Sequence, residues 1–316
     1  MKPADLPRTV VRAVRCAVED GELAIGAAVP ERVVVERTRP GGVGEYASPV
    51  AFQVAKGARM RPVDVADVLA RRLGAEAGIE RVEVTGPGFI NFVLPPLSAP
   101  LIVQGVRGVA AVGFPRLDPA PAGLRERVVH EAVARLVHDA ECAVPHVAPV
   151  PNAAPVAKRD GDVIARFGAD AARWAMLTVP ARETPEFSGL LLVQGEESEF
   201  FRVRYAVTRS RALLRNAEQL GFGPVVGEVD APALLRVLAD HPLVLEAAAH
   251  HRAPERLTRH LVELADALLD FQYRVLPQGD EKPLAAHRAR LALAEAAGTV
   301  LAGGLALLGI DAPTRL

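Results

Sequence analysis

Phe89 and Asn91, in Phe89-Ile90-Asn91, form a pair of types that can recognise a nucleic-acid base. An aromatic face stacks on a base splayed out of its helix, and a carboxamide pairs with the base's polar edge. The plain structural alternative is a Phe89 packed in a core and an Asn91 that satisfies a turn. A second constellation lies in residues 200–217, where Arg202, Arg204, Arg209, Arg211 and Arg215 surround Tyr205. On a helix Arg204, Arg211 and Arg215 share a face. Such a row of guanidinium groups is a track for a phosphate backbone, or simply a solvated face. Other chemistry is not indicated. His130 and His138 lie about two turns apart on one helix and His250 and His251 are adjacent, without an acidic or thiolate third ligand at metal spacing. Ser48, Ser188, Ser198 and Ser210 sit in no nucleophile elbow, and no Walker-type glycine loop is present. No cofactor and no metal are expected.

The elements that must position these residues fall into two sets. Residues 4–20 read as a helix, with Leu6, Val10, Val14 and Ala17 on one face. Residues 31–36, Val-rich between charged ends, read as a strand, and Pro40-Gly41-Gly42 as a turn. Helices follow over 49–57 and 62–73, the latter with Pro62 in its first turn. Residues 81–84 and 89–94 read as strands joined by Gly86-Pro87-Gly88. This is a small α+β domain over residues 1–97. Residues 98–161 form a connection: Pro- and Gly-rich to 121, helical over 124–140, and irregular over 143–157. From Asp162 the chain is helical. Leu257, Leu261, Leu264, Leu268, Phe271 and Val275 make one apolar stripe, and a last helix over 283–308 ends at Gly309. Residues 162–316 therefore read as an all-α antiparallel helical bundle.

The 316 residues suffice for two domains with real cores. Half are apolar and 24% are charged, and the net charge of -1 excludes a surface that is basic throughout. Any RNA contact is then a local patch. Lys occurs only as Lys2, Lys56, Lys158 and Lys282, so the cations are nearly all Arg. Cys16 and Cys142 are far apart and read as free thiols. No secretory leader is recognised and no apolar run is read as long enough to span a bilayer, so the expected location is the cytoplasm.

Several stretches resemble an arginyl-tRNA synthetase. Glu31 to Glu36, Gly44-Glu45-Tyr46-Ala47 and Gly86-Pro87-Gly88-Phe89-Ile90-Asn91-Phe92 resemble that family's N-terminal additional domain. Gly168-Ala169-Asp170-Ala171-Ala172-Arg173 resembles the motif that names its DALR anticodon-binding domain. Tyr205-Ala206 with Arg209, Leu213 to Ala217, Arg274 to Pro277, and Leu307 to Ile310 with Ala312-Pro313 continue the likeness. The resemblance implies that Phe89 and Asn91 contact the D-loop of a tRNA and that the helix 200–217 faces RNA. It also implies what is lost. The family's catalytic domain carries a His-Ile-Gly-His turn that stabilises charge on the reacting phosphate, and a Lys-Met-Ser-Lys loop. Ala120-Pro121-Ala122-Gly123 stands in place of the first, and Lys158 is the one survivor of the second. A doubly wound sheet needs several βαβ units of about 30 residues each, and the segment between Ala140 and Lys158 is shorter than one. No complete Rossmann catalytic domain is expected, only a degenerate remnant over 98–161.

The helical half also departs from the family pattern. Ser198-Glu199 replaces Asn-Pro, Phe201-Arg202 replaces Tyr-Tyr, Arg204 replaces Gln, Val207 replaces His, Asp270 replaces Tyr, and Thr314-Arg315-Leu316 replaces Glu-Arg-Met. These changes keep packing types and alter polar groups that would face RNA. The first expectation is a non-catalytic protein that binds tRNA, an arginine tRNA among the candidates, or a tRNA-like RNA, without aminoacylating it. The rivals are a protein–protein interaction module derived from a synthetase, and the non-catalytic half of a split ligase. Neither a membrane nor DNA is an expected partner.

Overall fold

The computed structural model describes residues 1–24, 29–38, 41–107, 123–141 and 152–315. They divide into two compact units, Met1–Leu97 and Ser98–Leu316.

In the first unit, α1 (Leu6–Glu19) buries Leu6, Val10, Ala13, Val14 and Ala17, the stripe that its spacing dictates. α1 packs on α3 (Pro62–Gly74). Two ion-pair clusters tie them: Arg12 to Glu76 at 2.6 Å, and Arg72 to Asp20 and Glu22 at 2.6 and 2.8 Å. α2 (Val50–Ala58) ends at Arg59 in the left-handed conformation. The sheet is antiparallel, in the order β1 (Glu36–Arg37), β2 (Tyr46–Ser48), β4 (Phe89–Val93), β3 (Arg81–Thr85). β4 is thus central, with Asn91 opposite Ala47 on one side and Glu83 on the other. The strand expected over 31–36 is corrected to Glu36–Arg37. Val33, Val34 and Val35 are all buried, which is not the alternation of a ladder strand. Ser48 Oγ donates to the Val34 carbonyl at 3.2 Å.

The second unit is helical: α4 (Ala99–Arg107), α5 (Leu124–Glu141), α6 (Val163–Phe167), α7 (Ala169–Leu177), α8 (Glu199–Gln219), α9 (Pro232–His251), α10 (Pro254–Phe271) and α11 (Ala285–Leu308). α10 packs against α8, α9 and α11 and carries the Leu257–Phe271 stripe into the centre. Ser198 caps α8 by accepting from the Phe201 amide, and Gly309 ends α11 with positive φ. α4 and α5 fall in the segment read as a connection. Both pack on the bundle, α4 against α11 and α9, α5 against α9, α11 and α7. Val128, Val129, Ala132, Val133 and Leu136 of α5 are buried there, so this segment is part of the second unit's core. The sequence reading that no run could span a bilayer is also corrected. By length and composition α11 is long and apolar enough, but two thirds of that stretch (67%) is buried against its neighbours.

Candidate nucleic-acid interface

The hairpin β3–β4 decides what Phe89 and Asn91 do. Its turn, Gly86-Pro87-Gly88, packs against the start of α3. Gly88 has φ of +137° and a Cβ there would lie 2.8 Å from the Pro62 carbonyl carbon, so only glycine fits. The next residue, Phe89, is 41% exposed. Its ring meets Phe52 of α2 edge to face, with centroids 5.1 Å apart. Asn91 lies two residues on and is 4% exposed. Its Nδ2 donates to Thr85 Oγ1 at 2.7 Å, to the Glu83 carbonyl at 3.3 Å and to the Phe89 carbonyl at 3.4 Å. The expected pair is therefore split: the ring is offered to solvent, while the amide satisfies the hairpin.

On α8 the arginines are mostly engaged inside the protein. Arg202 Nε donates to Asp266 of α10 at 2.8 Å, and another of its nitrogens to the Glu196 carbonyl at 2.6 Å. Arg209 Nε donates to Gln272 Oε1. Arg211 holds the C-terminal segment through the carbonyls of Ala312 and Pro313, at 3.1 and 2.6 Å. Arg204 lies over the Phe200 ring at 5.2 Å, and its Nε is buried without a hydrogen-bond partner. Arg215 is exposed and forms no ion pair among the described residues. Of Arg204, Arg211 and Arg215, which share a face of α8, Arg211 is drawn to the C-terminal segment. Tyr205 is 38% exposed and stacks on Phe201 at 5.6 Å. The spacing held a signal for this: Asp266 of α10 and Gln272 just beyond its end stand about two helical turns apart, as Arg202 and Arg209 do on α8. Arg173, which closes the Asp170–Arg173 motif, also works internally. It pairs with Glu131 of α5 at 2.7 Å and lies beside Gly309 at the end of α11.

Of the degenerate motif positions, Ala120, Pro121 and Ala122 lie outside the described residues. Gly123 and Lys158 line one open cavity of about 360 Å³, with Glu126 and Asp162. One lysine facing two carboxylates does not suit a triphosphate. Asp162 is moreover engaged at the N-terminus of α6, accepting from the amides of Ile164 and Ala165. Arg125, the next cation, is buried and turned elsewhere. Its guanidinium donates to four backbone carbonyls, of Met176 at 3.3 Å, Ala154 at 2.9 Å, Pro180 at 3.0 Å and Glu183. Burial lowers its pKa, yet an arginine stays charged, and the carbonyl dipoles replace its water. No group of three metal-ligating side chains occurs among the described residues.

Comparison with known proteins gives two domain matches. Residues 9–94 match the family described as arginyl tRNA synthetase N terminal domain, and residues 203–316 match the DALR anticodon binding domain. Among curated relatives, the arginine–tRNA ligase of Frankia alni is 52% identical over 94 residues, which is 30% of this chain and 17% of that protein. The aligned stretch is thus about a sixth of that relative's length. Among solved structures, an arginyl-tRNA synthetase from Thermus thermophilus aligns over 98% of this chain and 100% of its own, with a TM-score of 0.60 and 14% identity. That likeness is one of fold.

Proposed function

We propose that this chain, whose ends belong to the arginyl-tRNA synthetase N-terminal and DALR anticodon-binding domain families, holds tRNA or a tRNA-like RNA without aminoacylating it. The observation that carries the reading is Phe89, an aromatic ring left open to solvent on a hairpin tip that glycine fixes in place. Base stacking needs such a ring. Among the described residues the only sheet is the four-stranded antiparallel one of the first unit, which supports the non-catalytic part of the reading. The direct test is retention of total cellular tRNA by the purified chain at two salt concentrations, followed by sequencing. Enrichment of arginine tRNAs, reduced in high salt and by Phe89→Ala, is the expected result. No retention at low salt overturns the reading, and arginine-dependent pyrophosphate exchange by the chain overturns its non-catalytic part.

A second reading is supported by the arginines of α8. With Arg202, Arg209 and Arg211 bonded internally, the helical unit offers a phosphate backbone fewer free guanidinium donors than its sequence implies. The helical unit then serves as a protein-docking module, and RNA affinity resides in the first unit. Charge reversal at Arg215 separates the two: the docking reading expects tRNA affinity to change less than twofold, and the anticodon reading expects a severalfold loss.

A further inference from the structure

The segment between α7 and α8 displays leucine to water. Leu190 and Leu192 are 51% and 57% exposed, and Leu191 between them is half-buried. A single exposed leucine is ordinary, but three in succession on one turn make a patch. The turn is held from both sides. Gly189–Leu192 is a short 3-10 turn. The Leu191 amide donates to the Ser188 carbonyl at 3.2 Å, and the Val193 amide to the Leu190 carbonyl at 3.3 Å. Upstream, Pro185 is buried, and Phe187 packs on Phe167 of α6 with ring centroids 5.9 Å apart. Arg125 also binds the Pro180 and Glu183 carbonyls there. Downstream, Arg202 of α8 binds the Glu196 carbonyl at 2.6 Å, and the Ser198 amide donates to the Gly195 carbonyl at 3.1 Å. A turn pinned at both ends keeps its leucines outside, where water contact costs free energy unless something covers them.

The charge around the turn says what covers it. Residues 183–199 carry Glu183, Glu186, Glu196, Glu197 and Glu199, and no Lys, Arg or His. All of these glutamates are exposed, and none forms an ion pair among the described residues. A phosphate backbone or an anionic lipid surface is repelled there. A second copy meeting this face with the same face sets glutamate against glutamate. An apolar ridge bordered by Lys or Arg fits both the leucines and their acidic surround.

We propose that the Gly189–Leu192 turn is a docking site for a protein segment whose apolar side chains are flanked by lysine or arginine, an amphipathic basic helix being the simplest form. This rests on the docking reading of the helical unit and gives it a site and a partner chemistry. The experiment uses the full chain, with fluorescence anisotropy on a labelled amphipathic peptide of leucine and lysine and on its leucine–glutamate counterpart. The variants are double substitutions: Leu190→Ser with Leu192→Ser, Leu190→Met with Leu192→Met, and Glu196→Gln with Glu197→Gln. Unfolding midpoints confirm that each variant is folded, as substitutions on an exposed turn allow. The parent should bind the lysine peptide about tenfold or more tighter than the glutamate peptide. The serine variant should lose about tenfold or more, since each leucine removed forfeits its burial. Methionine should keep affinity within about twofold. The glutamine variant should lose severalfold in low salt and little in high salt. Lysine peptide bound as well by the serine variant as by the parent overturns this surface and leaves the docking reading standing. Equal binding of the two peptides overturns the partner chemistry. Dimerisation of the parent in sedimentation, absent from the serine variant, overturns the proposal in favour of a second copy. A severalfold loss of tRNA affinity in that variant overturns it in favour of RNA. No peptide binding by the parent overturns the surface, and removes the docking reading only where charge reversal at Arg215 also costs tRNA affinity severalfold.

Discussion

Asn91 donates its amide to three acceptors within its own hairpin, so its contribution is measurable as stability. Asn91→Asp presents carboxylate oxygens where the Thr85 hydroxyl oxygen and two carbonyls now accept hydrogen bonds. A buried donor lost and a buried charge gained cost about 3 kcal/mol or more. Asn91→Ala, which leaves the acceptors unpaired without adding charge, costs about 1–3 kcal/mol. Urea unfolding without RNA is expected to give that order. A buried histidine contributes to the acid sensitivity of the second unit. His260 is buried between α9 and α10, stacked on His241 at 5.1 Å, and burial pulls its pKa down to about 4 from an ordinary 6.5. The unfolded chain therefore binds the proton first as pH falls. Stability is complete above pH 6.5 and is lost between there and pH 4, by about 2–3 kcal/mol at pH 4.5. Burial shifts His241 the same way, so His260→Leu should make that part of the profile shallower without abolishing it, in denaturant midpoints taken from pH 7 to 4.5. At this scale the sequence told residue type better than direction. Phe89 and Asn91 lie on the same strand face by alternation, and nothing in their spacing says that Thr85, across the hairpin, claims the amide. Phe52 went unnoticed because only the hairpin's approach to α2 makes it a partner of Phe89.

Among elements, the long helices were readable because their apolar stripes are long. Leu257 to Phe271 repeats at helical spacing, and Leu257, Leu261, Leu264, Leu268 and Phe271 are buried as that spacing requires. Short elements gave less. β2 is Tyr46-Ala47-Ser48, three residues with no period to detect, and it exists because β4 offers it an edge. α4 begins at Ala99, immediately beyond Pro95 and Pro96, prolines that made its neighbourhood look like a loop. Glycines within α11 separate packing from propensity. A Cβ at Gly304 would fall 2.5 Å from Leu261 Cδ2, and Leu261 is fully buried, whereas one at Gly303 would meet nothing within 4 Å. Gly304→Ala is expected to destabilise by about 1–3 kcal/mol through overpacking. Gly303→Ala is expected to stabilise by up to about 1 kcal/mol through helix propensity. Thermal unfolding of the two variants side by side checks both signs.

At the scale of the molecule, each unit has its own core. In the first it is built on Leu6, Val10, Val14, Leu69, Leu73, Ile90 and Phe92, all fully buried. Met1–Leu97 expressed alone should therefore keep its secondary structure and a cooperative unfolding transition, measured by circular dichroism. Domain content was the most readable property of the sequence, since both ends carry family motifs. The role of residues 124–141 was not, because a helix following a degenerate motif looks like a remnant until its partners are known. Arg125 has a consequence in time. Its guanidinium joins chain regions at 125, 154 and 176–183, so its bonds exist only when all three have converged. Contacts that demand such convergence form late and are weak in the folding transition state. Arg125→Met should hence leave the refolding limb of a chevron nearly unchanged and raise the unfolding rate steeply. Arg125 thereby governs how long the folded second unit lasts, more than how quickly it is made.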